Sequence, residues 1–105
     1  MMNIYTLTIG YNDKNTKNQE YSNEVMENTI YDVLMNDYGI YALTATPCKG
    51  VFTHDDGTIV KENSLRVEIA TEETLPITHI VRDLKTALNQ ECIMVTEKTE
   101  YVRFL

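Results

Sequence analysis

The chain has no tryptophan, and its 105 residues include only two cysteines, two prolines and four glycines. Each shortage excludes something. Cys48 and Cys92 are far apart and belong to neither a Cys-x-x-Cys pair nor a Cys/His cluster, so the expectation is two reduced, packed thiols with no zinc site and no disulfide framework. The glycines, Gly10, Gly39, Gly50 and Gly57, stand singly at element boundaries, and no glycine-rich loop is present to cradle a phosphate. Basic residues are also few. Nine Lys and Arg face 16 Asp and Glu, for a formal charge of −7, and no cluster of cations could neutralise a nucleic-acid backbone. No apolar run reaches the roughly 18 residues of a membrane span. The opening Met1-Met2-Asn3-Ile4-Tyr5-Thr6 lacks the basic start and apolar block of a signal peptide, which predicts a cytoplasmic protein. No metal and no cofactor is expected.

What is present is strong patterning. Ser64-Leu65-Arg66-Val67-Glu68-Ile69 alternates polar and apolar residues at period two, the signature of a strand with one dry and one wet face. Upstream, Val51-Phe52-Thr53 runs into His54-Asp55-Asp56-Gly57, where Asp-Gly supplies the positive φ of a tight turn, so residues 50–70 read as a long β-hairpin. Ile4 to Tyr11 forms a first strand, with Tyr5, Leu7, Ile9 and Tyr11 on one side. Ser22 is placed to cap a helix in which Val25, Met26, Thr29, Ile30, Val33 and Leu34 recur at helical spacing, and Gly39 ends it. A second strand opens at Tyr41 and is interrupted at Pro47, which argues for an edge position or a bulge. Ile77, Ile80, Val81, Leu84 and Leu88 make the stripe of a second helix, with Pro76 in its first turn. Cys92 to Thr96 and Tyr101 to Leu105 are short β runs, either one bent strand or a terminal hairpin that adds a strand. The order βαββαβ predicts one α+β domain over residues 1–105, of ferredoxin-like arrangement, with an antiparallel sheet and two helices on one face.

Gly50-Val51-Phe52, Asp56-Gly57 and Glu62-Asn63-Ser64 lead into the alternating strand, and a helix and Gln90-Glu91-Cys92-Ile93-Met94-Val95 follow. From Gly39 onward this pattern resembles a small bacterial family of uncharacterised proteins with a ferredoxin-like fold. The resemblance implies a fold and no activity.

Candidate functional residues are sparse. His54, Asp55 and Asp56 have the chemistry of a weak cation site, but adjacent residues of an extended segment point apart, and a turn explains them at less cost. His79 belongs on a helix flank. With Leu7, Leu43 and Val67 turned to the core, Thr6, Thr8, Thr44, Thr46, Arg66 and Glu68 share the opposite sheet face, a polar floor with one cation and one anion. These six are the candidate ligand contacts. The acidic stretch from Gln19 to Asp37 reads as a solvated helix face, or as a patch for a basic partner. With no catalytic constellation visible, the sequence predicts a non-enzymatic binding or regulatory module that pairs with itself or another protein. One alternative is a small-molecule enzyme whose site forms at a subunit interface. The other is an acidic inhibitor from a phage or mobile element. Convergence of His54, Arg66 and a tyrosine in one pocket would favour the enzyme.

Overall fold

A computed structural model describes residues Met1–Leu105. Strand β1 is Met2–Gly10 and helix α1 is Asn23–Tyr31, which runs directly into a π-helical segment, Asp32–Asp37. Then follow β2 (Thr44–Thr53), β3 (Ile59–Thr71), α2 (Ile77–Leu88) and β4 (Met94–Glu100). The sheet order is β2-β3-β1-β4 with every neighbouring pair antiparallel. This is the expected ferredoxin-like arrangement.

The alternation in the sequence becomes the two faces of this sheet. Tyr5, Leu7 and Ile9 of β1 and Leu65, Val67 and Ile69 of β3 are buried against Met26, Ile30, Val33 and Leu34 on one helical segment and Ile80, Leu84 and Leu88 on the other. Both helices therefore lie on the same face. Each of these side chains contributes about 1.5–3 kcal/mol by leaving water.

The helix ends follow from local chemistry. Ser22 Oγ accepts the Val25 N–H at 3.2 Å, satisfying an otherwise orphaned donor at the start of α1. At the far end, Gly39 takes φ +65, its N–H donates to Met35 O, and Ile40 N–H donates to Leu34 O. The Gly39 bond is that of a left-handed helix stop, and it needs a residue at ease with positive φ. The end of α2 is Asn89, also left-handed at φ 50.

Several local expectations change. Pro47 does not interrupt β2: the strand begins at Thr44, not Tyr41, and runs through Pro47 opposite Leu65. It can do so because β2 is an edge strand, where the missing N–H can face away from the ladder. Pro76 precedes the first helical residue and occupies the cap position. Tyr101–Leu105 adds no strand, and β4 ends at Glu100. Cys92 precedes β4 and is exposed, not packed, whereas Cys48 is half-buried. No helix is long and apolar enough to cross a membrane.

Candidate active site

The site begins with a mismatch of strand lengths. β1 stops at Gly10, paired with Ser64, while the β2–β3 hairpin runs on through Ile59–Asn63 with no β1 partner. Glu62 lies in that overhang, and its carboxylate folds back over Gly10, into the space a Cβ there would need. Its Oε2 accepts the Asn12 N–H at 3.0 Å. Burial raises the Glu62 carboxyl above its ordinary range, a shift the Asn12 N–H only partly offsets. A half-buried carboxylate of this kind is a strong candidate for a functional group.

The surrounding loop is fixed by side-chain amides. Gln90 Nε2 donates to Asn12 O at 2.7 Å, Asn89 Nδ2 donates to Asp13 Oδ2 at 2.7 Å, and Asn63 Nδ2 donates to Gln19 Oε1 at 2.9 Å. The bond from Asn89 holds the Asp13 carboxyl below the usual carboxylate range. Beside Glu62 opens a cavity of about 560 Å³ whose lining includes Lys49, Lys61, Asn12, Gln19 and Asn63. Its lining residues include one acid, two bases and several neutral hydrogen-bonding groups, and Lys61 and Glu62, neighbours in β3, send their side chains to opposite faces of the strand. Such a lining suits a polar ligand that carries both signs of charge.

The hairpin tip closes the same end of the sheet. His54, expected at the hairpin turn, is only 3% exposed. Its ring stands edge-on to Phe52, with centroids 4.9 Å apart, and its Nδ1 lies 3.4 Å from Glu91 Oε2. Neither ring nitrogen has a hydrogen-bond partner. Glu91 Oε1 accepts the Asp55 N–H at 3.1 Å, a bond that keeps the Glu91 carboxyl below its usual range. Lys17 adds a contact to Asp56 at 3.8 Å. The turn itself is made by Gly57 at φ +87, with its N–H donating to His54 O. The tip is therefore tied to the connection between α2 and β4.

The six sheet-face residues sit where the alternation places them. Thr44, Glu68 and Thr6 form one cross-strand row, and Thr46, Arg66 and Thr8 the next. Arg66, Glu68, Thr44 and Thr46 are exposed, while Thr6 and Thr8 are half-buried. His54 does not join them. It lies eight residues beyond Thr46 along β2, roughly 26 Å at 3.3 Å per residue, so His54 and Arg66 do not converge in one pocket. His79 is exposed on its helix flank, as expected. The acidic residues Glu24, Asp32 and Asp37 are solvated.

Sequence reasoning missed Glu62 and Glu91. The one signal available was Gly10, a glycine at the end of β1 whose backbone does not require it, which marks a close approach of another group.

Comparison with known proteins gives this geometry a setting. Residues 11–105 match the model of the S-adenosylmethionine lyase family. No curated protein matches the chain in sequence. Among solved structures, a phage SAM lyase in complex with S-methyl-5'-thioadenosine is similar at 20% identity and TM-score 0.70, covering 92% of this chain and 80% of that one. The periplasmic divalent cation tolerance protein CutA from Archaeoglobus fulgidus is similar at 13% identity and TM-score 0.63, covering 99% and 88%. The B. subtilis GlnK–ATP complex is similar at 15% identity and TM-score 0.54, covering 91% and 82%. At these identities the structures show the shared fold. The family match overturns the expectation of a non-enzymatic module and favours the small-molecule enzyme. Matched over nearly its whole length, the chain belongs to the S-adenosylmethionine lyase family.

Proposed function

We propose that this protein cleaves S-adenosylmethionine and releases S-methyl-5'-thioadenosine. The observation that carries the reading is the family match over residues 11–105. The cavity beside Glu62 supports it through its charges. The substrate carries a sulfonium, an ammonium and a carboxylate, a net positive ligand with both signs. Glu62 matches the positive groups, and Lys49 and Lys61 match the carboxylate. The strongly acidic chain draws such a ligand in.

The chemistry asks little of the protein. The bond between sulfur and the γ-carbon breaks, its electron pair moves to sulfur, and the sulfonium becomes a neutral thioether. A neutral leaving group needs no proton, so no general acid is required. The remaining four-carbon fragment is completed in one of two ways. Its own carboxylate oxygen bonds to the γ-carbon and closes a lactone, or a base removes a β-proton and leaves an alkene. In the first path the residues only bind and orient, holding the carboxylate against the γ-carbon, and such positioning supplies much of the barrier reduction. In the second, the Glu62 carboxylate accepts the proton.

The deciding experiment incubates purified protein with S-adenosylmethionine and follows both products by chromatography and mass spectrometry. Stoichiometric S-methyl-5'-thioadenosine with a lactone or an alkene supports the reading. Unconsumed substrate at micromolar protein sinks it.

We further propose that the chain works as one domain in a self-associated form, in which the open sheet face bearing Thr6, Thr8, Thr44, Thr46, Arg66 and Glu68 meets ligand or a second copy. An open site gains depth when a neighbouring subunit closes it. Sedimentation at micromolar concentration tests this, and a strictly monomeric active species overturns it.

A further inference from the structure

On the helical side of the sheet, between α2 and β4, lies a groove of about 690 Å³ that shares no residue with the cavity at Glu62. Its charge runs against that of the chain. Lys14, Arg82 and Lys85 line it with a single carboxylate, Glu97, so three of the nine Lys and Arg gather in one concavity of a protein with net charge −7. Ile77, Val81 and Val95 supply an apolar wall.

Each cation has a partial local explanation. Lys85 stands in the last turn of α2, where the helix carbonyls favour positive charge. Arg82 Nε meets Asp83 Oδ1 at 3.2 Å, which leaves the two amino groups of its guanidinium uncommitted. Lys14 is brought to the rim by its backbone, whose N–H donates to Asn89 O at 3.0 Å. None of these reasons explains why the three converge. Like charges in a concave site repel one another, and a low-dielectric wall focuses their field outward. An anion relieves that repulsion.

We propose that this groove is a second binding site, for a small organic anion with one apolar part and one carboxylate or phosphate group. Its sign is wrong for the positively charged S-adenosylmethionine, so the site is separate from the proposed catalysis and stands whether or not that reading holds. The anionic group takes the guanidinium and the ammonium groups, where a planar fork and point charges suit carboxylate and phosphate oxygens. The apolar part lies on Ile77, Val81 and Val95.

The test is an amide NMR titration of the whole protein with phenyl phosphate, repeated with uncharged benzyl alcohol. The expected result is saturable shifts confined to Lys14, Val81, Arg82, Lys85 and Val95 with phenyl phosphate, and none with the alcohol. The double variant Arg82→Glu/Lys85→Glu should bind at least tenfold more weakly. Lys14→Glu, on a loop outside the helix, gives the same readout if the double variant is misfolded. Neither change should alter cleavage of S-adenosylmethionine. Absence of saturation up to about 10 mM overturns the site, as do shifts scattered over the surface or unchanged binding by the variants.

Discussion

The carboxylate of Glu62 occupies the space above Gly10 that any larger residue would fill. Gly10 has an ordinary negative φ, so its backbone does not require glycine. The carboxylate does. In Gly10→Ala the new methyl meets the far end of a flexible side chain, which swings away at the cost of its bond to Asn12, about 1 kcal/mol. The melting temperature should drop by only a few degrees while S-adenosylmethionine cleavage falls at least tenfold. Equal activity in a well-folded Gly10→Ala protein would remove Glu62 from the site.

Glu62→Gln separates charge from shape. The amide can still accept the Asn12 N–H, so the local geometry persists while the negative charge goes. Loss of one charge-assisted contact to substrate costs about 1.5–3 kcal/mol, or roughly 10- to 100-fold in kcat/KM. Stability should move the other way. Burial raises the Glu62 carboxyl in the folded state, so its contribution to stability is fully present below the unfolded value of 4.5 and is lost as pH rises through the folded value. Removing the charge therefore stabilises the protein at neutral pH, and that advantage should shrink to nothing below about pH 4. Melting curves of both proteins from pH 3.5 to 8 provide the check. Wild-type kcat/KM should likewise fall as pH drops through the raised carboxyl value.

Val67→Asp tests the register of the sheet. Val67 is fully buried between Leu7 of β1 and Ala45 of β2, facing both helices. An unpaired carboxylate there costs several kcal/mol, comparable to about half the stability of a small domain. The variant should be unfolded or melt at least 15 °C lower, roughly 4–8 °C per kcal/mol for this size. Arg66→Asp, one residue away on the wet face, should melt within a few degrees of wild type.

The contrast between those two neighbours shows how the fold was legible. A strand's two faces repeat every two residues, so Leu65, Val67 and Ile69 declare the core wherever the strand pairs. Ser22 and Gly39 act within a few residues of themselves, and their roles were equally visible. Glu62 was not, because its partner is Gly10, 52 positions away in sequence, and nothing local signals that β1 ends before the hairpin does. His54 failed for a related reason. Its Asp-Gly turn is real, but the burial comes from Glu91 on another connection. The π-helical segment Asp32–Asp37 left no mark that distinguishes it from ordinary helix.

Asn89 was also readable and passed over. Asn is the commonest residue after glycine at a left-handed helix end, and here φ is 50 with the side chain donating to Asp13. Asn89→Ala forces a Cβ into that conformation and removes the bond that steadies the Asn12–Asp13 corner. The expected loss is about 1–2 kcal/mol. Asn89→Gly relieves the backbone and still loses the bond, so it should fall between the two proteins in a denaturant titration. An Asn89→Ala protein as stable as wild type would show that neither strain nor bond matters.

Lys49 and Lys61 carry the last expectation. They pair with Asn63 and Val51 across the hairpin, are both exposed, and hold no carboxylate in an ion pair. Truncating exposed, unpaired side chains should change stability by less than about 0.5 kcal/mol. Their effect belongs to substrate. If they take the carboxylate of S-adenosylmethionine without sharing in the bond changes, the double variant Lys49→Ala/Lys61→Ala loses uniform binding, and KM rises with kcat nearly constant. If holding that carboxylate against the γ-carbon is what drives ring closure, kcat falls as well. Steady-state kinetics at two ionic strengths separate these outcomes from general charge attraction, because added salt weakens long-range steering far more than a direct contact. A variant with unchanged KM and kcat would place the substrate carboxylate elsewhere.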